Sequence, residues 1–167
     1  DSMFFLKKQL MLVPIGCAAM FFMVGFDYHK IKKYAPLLLA ICIPLLVAVF
    51  FSKPINGARR WIGIGPLSFQ PSDITKYAVV LFLAMGLEAK GEGIKKFWSG
   101  IIPYFGLSGV FAVLILAENN LSIASVIMIV TFIMIFVAGG RSKHLFGIIA
   151  PGMVALALLA IFSSDYR

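Results

Sequence analysis

The chain has 167 residues, of which 61% are hydrophobic and 13% charged, against roughly 45–50% and 25% in soluble domains. A soluble fold of this size has too little interior for so much apolar surface, so lipid is the solvent for most of it. The net charge of +8 would suit nucleic acid, but the cations fall in short turns between apolar runs; membrane lipids with anionic headgroups are the expected partner, and no nucleic acid.

The expected fold is all-α: a polytopic transmembrane helix bundle of about six spanning helices, forming one membrane domain over residues 1–167. The opening segment, Asp1 through Phe4-Phe5-Leu6-Lys7-Lys8-Gln9, reads as the interior of a longer membrane protein. Apolar runs at 10–26, 35–51, 71–87, 101–117, 121–139 and 146–163 are each close to the roughly 17–25 residues that cross hydrocarbon. Strand-like alternation is missing, and lipid cannot satisfy an open backbone. Cys17 and Cys42 lie inside apolar runs, where a thiol behaves as a small hydrophobe.

Three connectors, at 27–34, 90–98 and 140–144, share one side of the membrane if every run spans. They carry Lys30, Lys32, Lys33, Lys90, Lys95, Lys96, Arg141 and Lys143. The other side receives Lys7, Lys8, Lys53, Arg59, Arg60, Lys76 and Arg167, so the positive-inside rule separates the two sides only weakly. The three Lys-rich turns are assigned to the cytoplasm because they are short and carry no obvious chemistry. Tyr28, Tyr34, Trp98 and Tyr104 fall near helix ends, as an aromatic belt would.

The loop before the third span is the most polar stretch. It reads Asn56-Gly57-Ala58-Arg59-Arg60-Trp61-Ile62-Gly63, then Phe69-Gln70-Pro71-Ser72-Asp73-Ile74-Thr75-Lys76. Pro71 suits a first helical turn, and Asp73 just behind it suits the positive end of the helix dipole. Lys76 at i+3 and Tyr77 at i+4 share its face. Arg59 and Arg60 add guanidinium forks that grip phosphate. A cationic pocket with one carboxylate at headgroup depth suits a pyrophosphate-linked lipid; a structural ion pair between Asp73 and Lys76 or an arginine is the competing reading. By position alone, Trp61 is better read as an interfacial anchor.

Glu118-Asn119-Asn120-Leu121-Ser122 faces the same side. Asn119 or Ser122 is expected to cap the fifth span. Glu118, at the negative end of a helix dipole, needs a cation from the arginine loop. His29 and His144 have no second ligand at metal-binding spacing.

These motifs together resemble the SEDS family (shape, elongation, division and sporulation), the group of FtsW, RodA and SpoVE. Phe4-Phe5-Leu6-Lys7-Lys8-Gln9 and Phe136-Val137-Ala138-Gly139-Gly140 fit the same pattern. The resemblance implies a peptidoglycan glycosyltransferase. Such an enzyme polymerises lipid II at the outer face of the bacterial cytoplasmic membrane, as a multi-pass protein partnered by a class B penicillin-binding protein. A lipid II flippase and a membrane scaffold for that partner are the alternatives.

The family has about ten spans, and this chain is similar to the second through seventh. The main catalytic base is then expected on the loop after the seventh span, outside this chain, so the fragment alone is expected to be inactive. Asp73 and Lys76 take supporting catalytic roles. Arg59, Arg60, Trp61, Gln70, Ser72, Glu118 and Asn120 are the expected substrate-binding residues. The chain departs from the family at Asp73, where glutamate is usual, and at Asn120, where aspartate is usual. No cofactor is called for, with room left for a divalent cation in the full-length enzyme.

Overall fold

An apolar run in lipid has no water for its amides, so it must coil onto its own carbonyls. The computed structural model describes residues 2–52, 54, 59–64 and 67–162, and each of the six expected spans is helical there. Lys53, the Asn56-Gly57-Ala58 part of the loop motif, Pro66 and the end of the sixth span with Arg167 lie outside the described residues.

The chain divides into two units, Asp1–Lys33 and Tyr34–Arg167. The first holds α1 (Ser2–Val24) and α2 (Tyr28–Lys32). α2 occupies what the sequence reads as a plain connector. Asp27 starts it, its carboxylate accepting from the His29 N–H at 3.0 Å and lying 2.8 Å from the His29 Nδ1.

The second unit begins with α3 (Ala35–Val49). A short antiparallel hairpin follows, β1 (Ile62–Ile64) against β2 (Leu67–Phe69), with Ile62 opposite Phe69 and Gly63 opposite Ser68. No strand was expected there. The chain then runs through α4 (Pro71–Lys90) and a 3-10 turn (Gly91–Lys95). A π-helical turn (Phe97–Ile101) leads into α5 (Ile102–Ala117), followed by α6 (Leu121–Val137) and α7 (Ser142–Phe162). α4 packs against α3, α5 and α6, so its two ends sit among the ends of its neighbours.

Leu46, Leu83, Phe111, Ile115 and Ile135 are fully enclosed and form the core, together with Cys42. Val110, Val113, Ile129, Ile133 and Phe136 on α5 and α6 are at least half exposed. Helices apolar on both faces are stable only with lipid outside. Phe97–Ala117, 21 residues with mean hydropathy 2.1, is the one stretch among the described residues long and apolar enough to cross a bilayer by itself. α3 and α6 have 15 and 17 residues, at or below the usual minimum of about 17.

Close crossings rest on small residues. A Cβ added at Gly86 of α4 would meet the Tyr104 ring of α5 at 2.7 Å, and the Tyr104 hydroxyl donates to the Gly86 carbonyl at 2.7 Å. Two polar groups enclosed between α5 and α6 satisfy each other. The buried Thr131 hydroxyl lies 2.8 Å from both the Ser108 Oγ and the Ile127 carbonyl.

Candidate functional site

One end of the second unit collects the last turn of α3, the hairpin, the start of α4, the end of α5 and the start of α6. Gln70 is extended before α4, and Pro71 opens the helix where its missing N–H costs nothing. The Asp73 N–H bonds the Gln70 carbonyl at 3.0 Å, which places the Asp73 carboxylate in the first turn. Lys76 Nζ then sits 2.8 Å from Asp73 Oδ1, both side chains partly in solvent. An exposed i,i+3 pair contributes only about 0.3–0.5 kcal/mol. Its larger consequence is placement: the carboxylate holds the ammonium at the head of a cleft.

That cleft, about 210 Å³, lies between α4 and α6. Lys76 and Tyr77 line it with Val79, Val80, Val126 and Val130. Neither Arg59 nor Arg60 lines it.

The starts of α4 and α6 are tied by a buried polar knot. Ser72 is fully enclosed; its Oγ accepts from Gln70 Nε2 at 3.0 Å and from Asn120 Nδ2 at 3.4 Å. Asn120 Oδ1 accepts from the Ile123 N–H at 3.4 Å, so Asn120 caps α6. The expected caps were Asn119 or Ser122. Asn119 instead takes a left-handed conformation, φ 60°, which ends α5 and passes the cap position to the next residue.

The arginines go to helix C-termini. Arg60 Nε donates to the Glu118 carbonyl at 3.3 Å, and its Nη2 donates to the Asn119 carbonyl. Arg59 Nη1 donates to the Phe50 carbonyl at the end of α3, at 2.7 Å. Such carbonyls have no intrahelical partner and carry the negative end of the dipole. The cation expected for Glu118 is therefore Arg60, but it bonds the main chain rather than the carboxylate. Both Glu118 carboxylate oxygens are buried without a hydrogen-bond partner among the described residues. Burial pushes the Glu118 carboxyl up to about 7, against the pull of the Arg60 charge.

This has a consequence for stability. The folded chain keeps a proton that the unfolded chain releases near its ordinary value of 4.5. Stability should therefore fall as pH rises from about 4.5 to about 7 and level off above. Glu118→Gln is expected to remove that slope and raise the Tm of the full-length protein by a few degrees at pH 8. Parallel Tm-against-pH curves for the two proteins would contradict the buried acid.

The structure thus brings together Arg60, Gln70, Ser72, Glu118 and Asn120 with the Asp73–Lys76 pair at one end of the bundle. Arg59 sits on the end of α3, and Trp61, about one-third exposed, precedes β1. Sequence reasoning missed the hairpin, whose signal is the alternation Ile62, Ile64 and Leu67, Phe69 around a Gly-Pro pair. It also missed the cleft under Lys76. Its valines look like any lipid-facing residues until two helices are packed.

A bundle apolar inside and out, with a buried polar knot and an exposed acid–base pair at one end, defines a polytopic membrane protein. All 167 residues match the family described as cell cycle protein, FtsW/RodA/SpoVE, and the chain belongs to that family. It is 39% identical over 173 residues to stage V sporulation protein E of Bacillus subtilis, covering 100% of this chain and 46% of that protein. It is 34% identical over 172 residues to the probable peptidoglycan glycosyltransferase FtsW of Geobacter sp. (strain M18), with the same coverage, 100% and 46%. The crystal structure of the rod shape determining protein RodA of Thermus thermophilus superposes with a TM-score of 0.77 at 29% identity, over 92% of this chain and 50% of that one. A chain of a peptidoglycan synthase complex that coordinates polymerization and crosslinking gives 0.75 at 30%, over 95% and 45%. The chain spans about half the length of the relatives it matches.

Proposed function

We propose that the full-length protein is a peptidoglycan glycosyltransferase that polymerises lipid II at the outer face of the bacterial cytoplasmic membrane. One observation carries this reading within the family: Lys76, held by Asp73, stands over an apolar cleft at the bundle end that also gathers both arginines. A lipid diphosphate has that combination of anionic head and apolar tail. In glycosyl transfer it is the leaving group, and fixed cations stabilise the charge that grows on it. Lys76 meets that charge, Asp73 positions Lys76, and Arg59 and Arg60 widen the positive field from the helix ends. Gln70, Ser72 and Asn120 fix the starts of α4 and α6, while Glu118 and Trp61 border the head region. The base that deprotonates the attacking sugar hydroxyl belongs to the remaining half of the protein, and residues 1–167 form one membrane domain within it.

A class B penicillin-binding protein is the proposed partner. Gly106 and Gly109, one turn apart on α5, have open space beside them and would let a single helix approach closely. Transport of lipid II is less well supported. Ser108 and Thr131, the polar groups enclosed between α5 and α6, are bonded to each other rather than lining a path. The test is a proteoliposome assay on the purified full-length protein that reads strand formation and translocation separately. Strand synthesis is expected; translocation without polymer would overturn the reading.

A further inference from the structure

We propose that the opposite end of the bundle holds a second anion site, a preformed cleft for the phosphate of an anionic phospholipid in the adjoining leaflet. α4, with 20 residues, puts about 30 Å between this cleft and the Asp73–Lys76 pair. The inference is independent of the function proposed for that pair.

The cleft encloses about 560 Å³ between the 3-10 turn, the π-helical turn and the start of α7. Lys96 lines it from between the two turns, and Arg141 and His144 from the start of α7. Among the described residues its one lining carboxylate, Glu92, is already bonded to Lys95. Among the described residues neither Lys96 nor Arg141 makes an ion pair. The His144 ring stands edge-on to Phe97 at 5.1 Å, and its Nδ1 is buried without a hydrogen-bond partner among the described residues. A nitrogen so enclosed is out of reach of a ligand in the cleft, so the anion contacts fall to Lys96 and Arg141.

The walls are fixed by backbone contact. A Cβ at Gly100 of the π-helical turn would lie 2.5 Å from the Gly93 carbonyl oxygen and 2.8 Å from that of Ile94. A Cβ at Gly140 would lie 2.8 Å from both the Ile135 carbonyl oxygen and its Cγ2. The two turns are therefore held against each other without a ligand, and the Phe97–His144 ring contact joins them to the start of α7.

The cleft's depth selects a lipid over a free anion. It opens where the apolar stretch Phe97–Ala117 begins, and Trp98, 78% exposed, stands at its rim. An indole with open surroundings at the start of a span sits among headgroups, and basic pockets between helix ends at that level bind lipid phosphates.

The test titrates the delipidated full-length protein with phosphatidylglycerol or phosphatidylcholine and reads bound lipid by native mass spectrometry. Wild type is expected to retain phosphatidylglycerol. The double variant Lys96→Gln/Arg141→Gln, both at exposed positions, should bind it about tenfold or more weakly. Lys96→Arg/Arg141→Lys should restore binding, and Lys143→Gln, off the lining, should leave it unchanged. Phosphatidylcholine should bind weakly and equally in all variants. Equal phosphatidylglycerol retention by wild type and the double variant would overturn the proposal. So would full displacement of the lipid by millimolar inorganic phosphate, which would mark a site for a soluble anion.

Discussion

Asp73→Ala and Lys76→Ala in the full-length protein are each expected to cut glycan polymerisation by about a hundredfold or more, without loss of membrane insertion. The reason is the division of labour at the start of α4. The Asp73–Lys76 pair is exposed, so breaking it moves stability by only a few tenths of a kcal/mol. Lys76 is also the single cation lining the α4–α6 cleft among the described residues. Removing it takes away the charge proposed to meet a departing diphosphate. Removing Asp73 leaves the ammonium on a flexible stem with no fixed position. Lys76→Arg keeps the charge and should recover part of the rate, whereas Asp73→Glu restores the tether one methylene longer and should recover more. Polymer yield from purified lipid II at matched protein levels is the measurement, and wild-type rates in both alanine variants would contradict the assignment.

Arg60→Ala is expected to act on stability first, by about 2–3 kcal/mol. Its guanidinium bonds the carbonyls of Glu118 and Asn119, 58 and 59 residues away in sequence. Those carbonyls belong to a loop already holding a left-handed Asn119, at the end of a helix whose last turn carries no basic residue. Without Arg60 they lose two charge-assisted bonds, and the buried Glu118 carboxyl loses the positive charge that opposes its rise. A lysine carries the charge but lacks the planar guanidinium that presents Nε and Nη2 to the two carbonyls at once, so Arg60→Lys should recover less than half. The Tm of the full-length protein, followed by intrinsic fluorescence, should drop by several degrees in Arg60→Ala. An unchanged Tm would mean that the guanidinium is free for other work.

The spans were legible because lipid leaves an apolar run one choice, and the sequence errors fall at helix ends. The 3-10 and π-helical turns lengthen the approach to α5, and α7 starts at Ser142 rather than near 146. α2 was not legible because its five residues carry no apolar period, and only the Asp27 cap marks it. The acid–base pair was legible because Pro71 fixes where α4 begins, and helical geometry then places Asp73 beside Lys76. The destination of Arg60 was not, since a side chain reaching main-chain carbonyls across the bundle leaves no local pattern. The cleft at Lys96, Arg141 and His144 was hidden for the same reason. Each turn alone looks like an ordinary basic connector, and only helix packing brings two of them together.

The most direct measurement is equilibrium binding of undecaprenyl pyrophosphate to the full-length protein in lipid nanodiscs, comparing wild type with Lys76→Ala. Affinity at least about tenfold weaker in the variant is the predicted result, as expected for one lost charge-assisted phosphate contact. Equal affinities would contradict the claim that this end of the bundle holds the diphosphate.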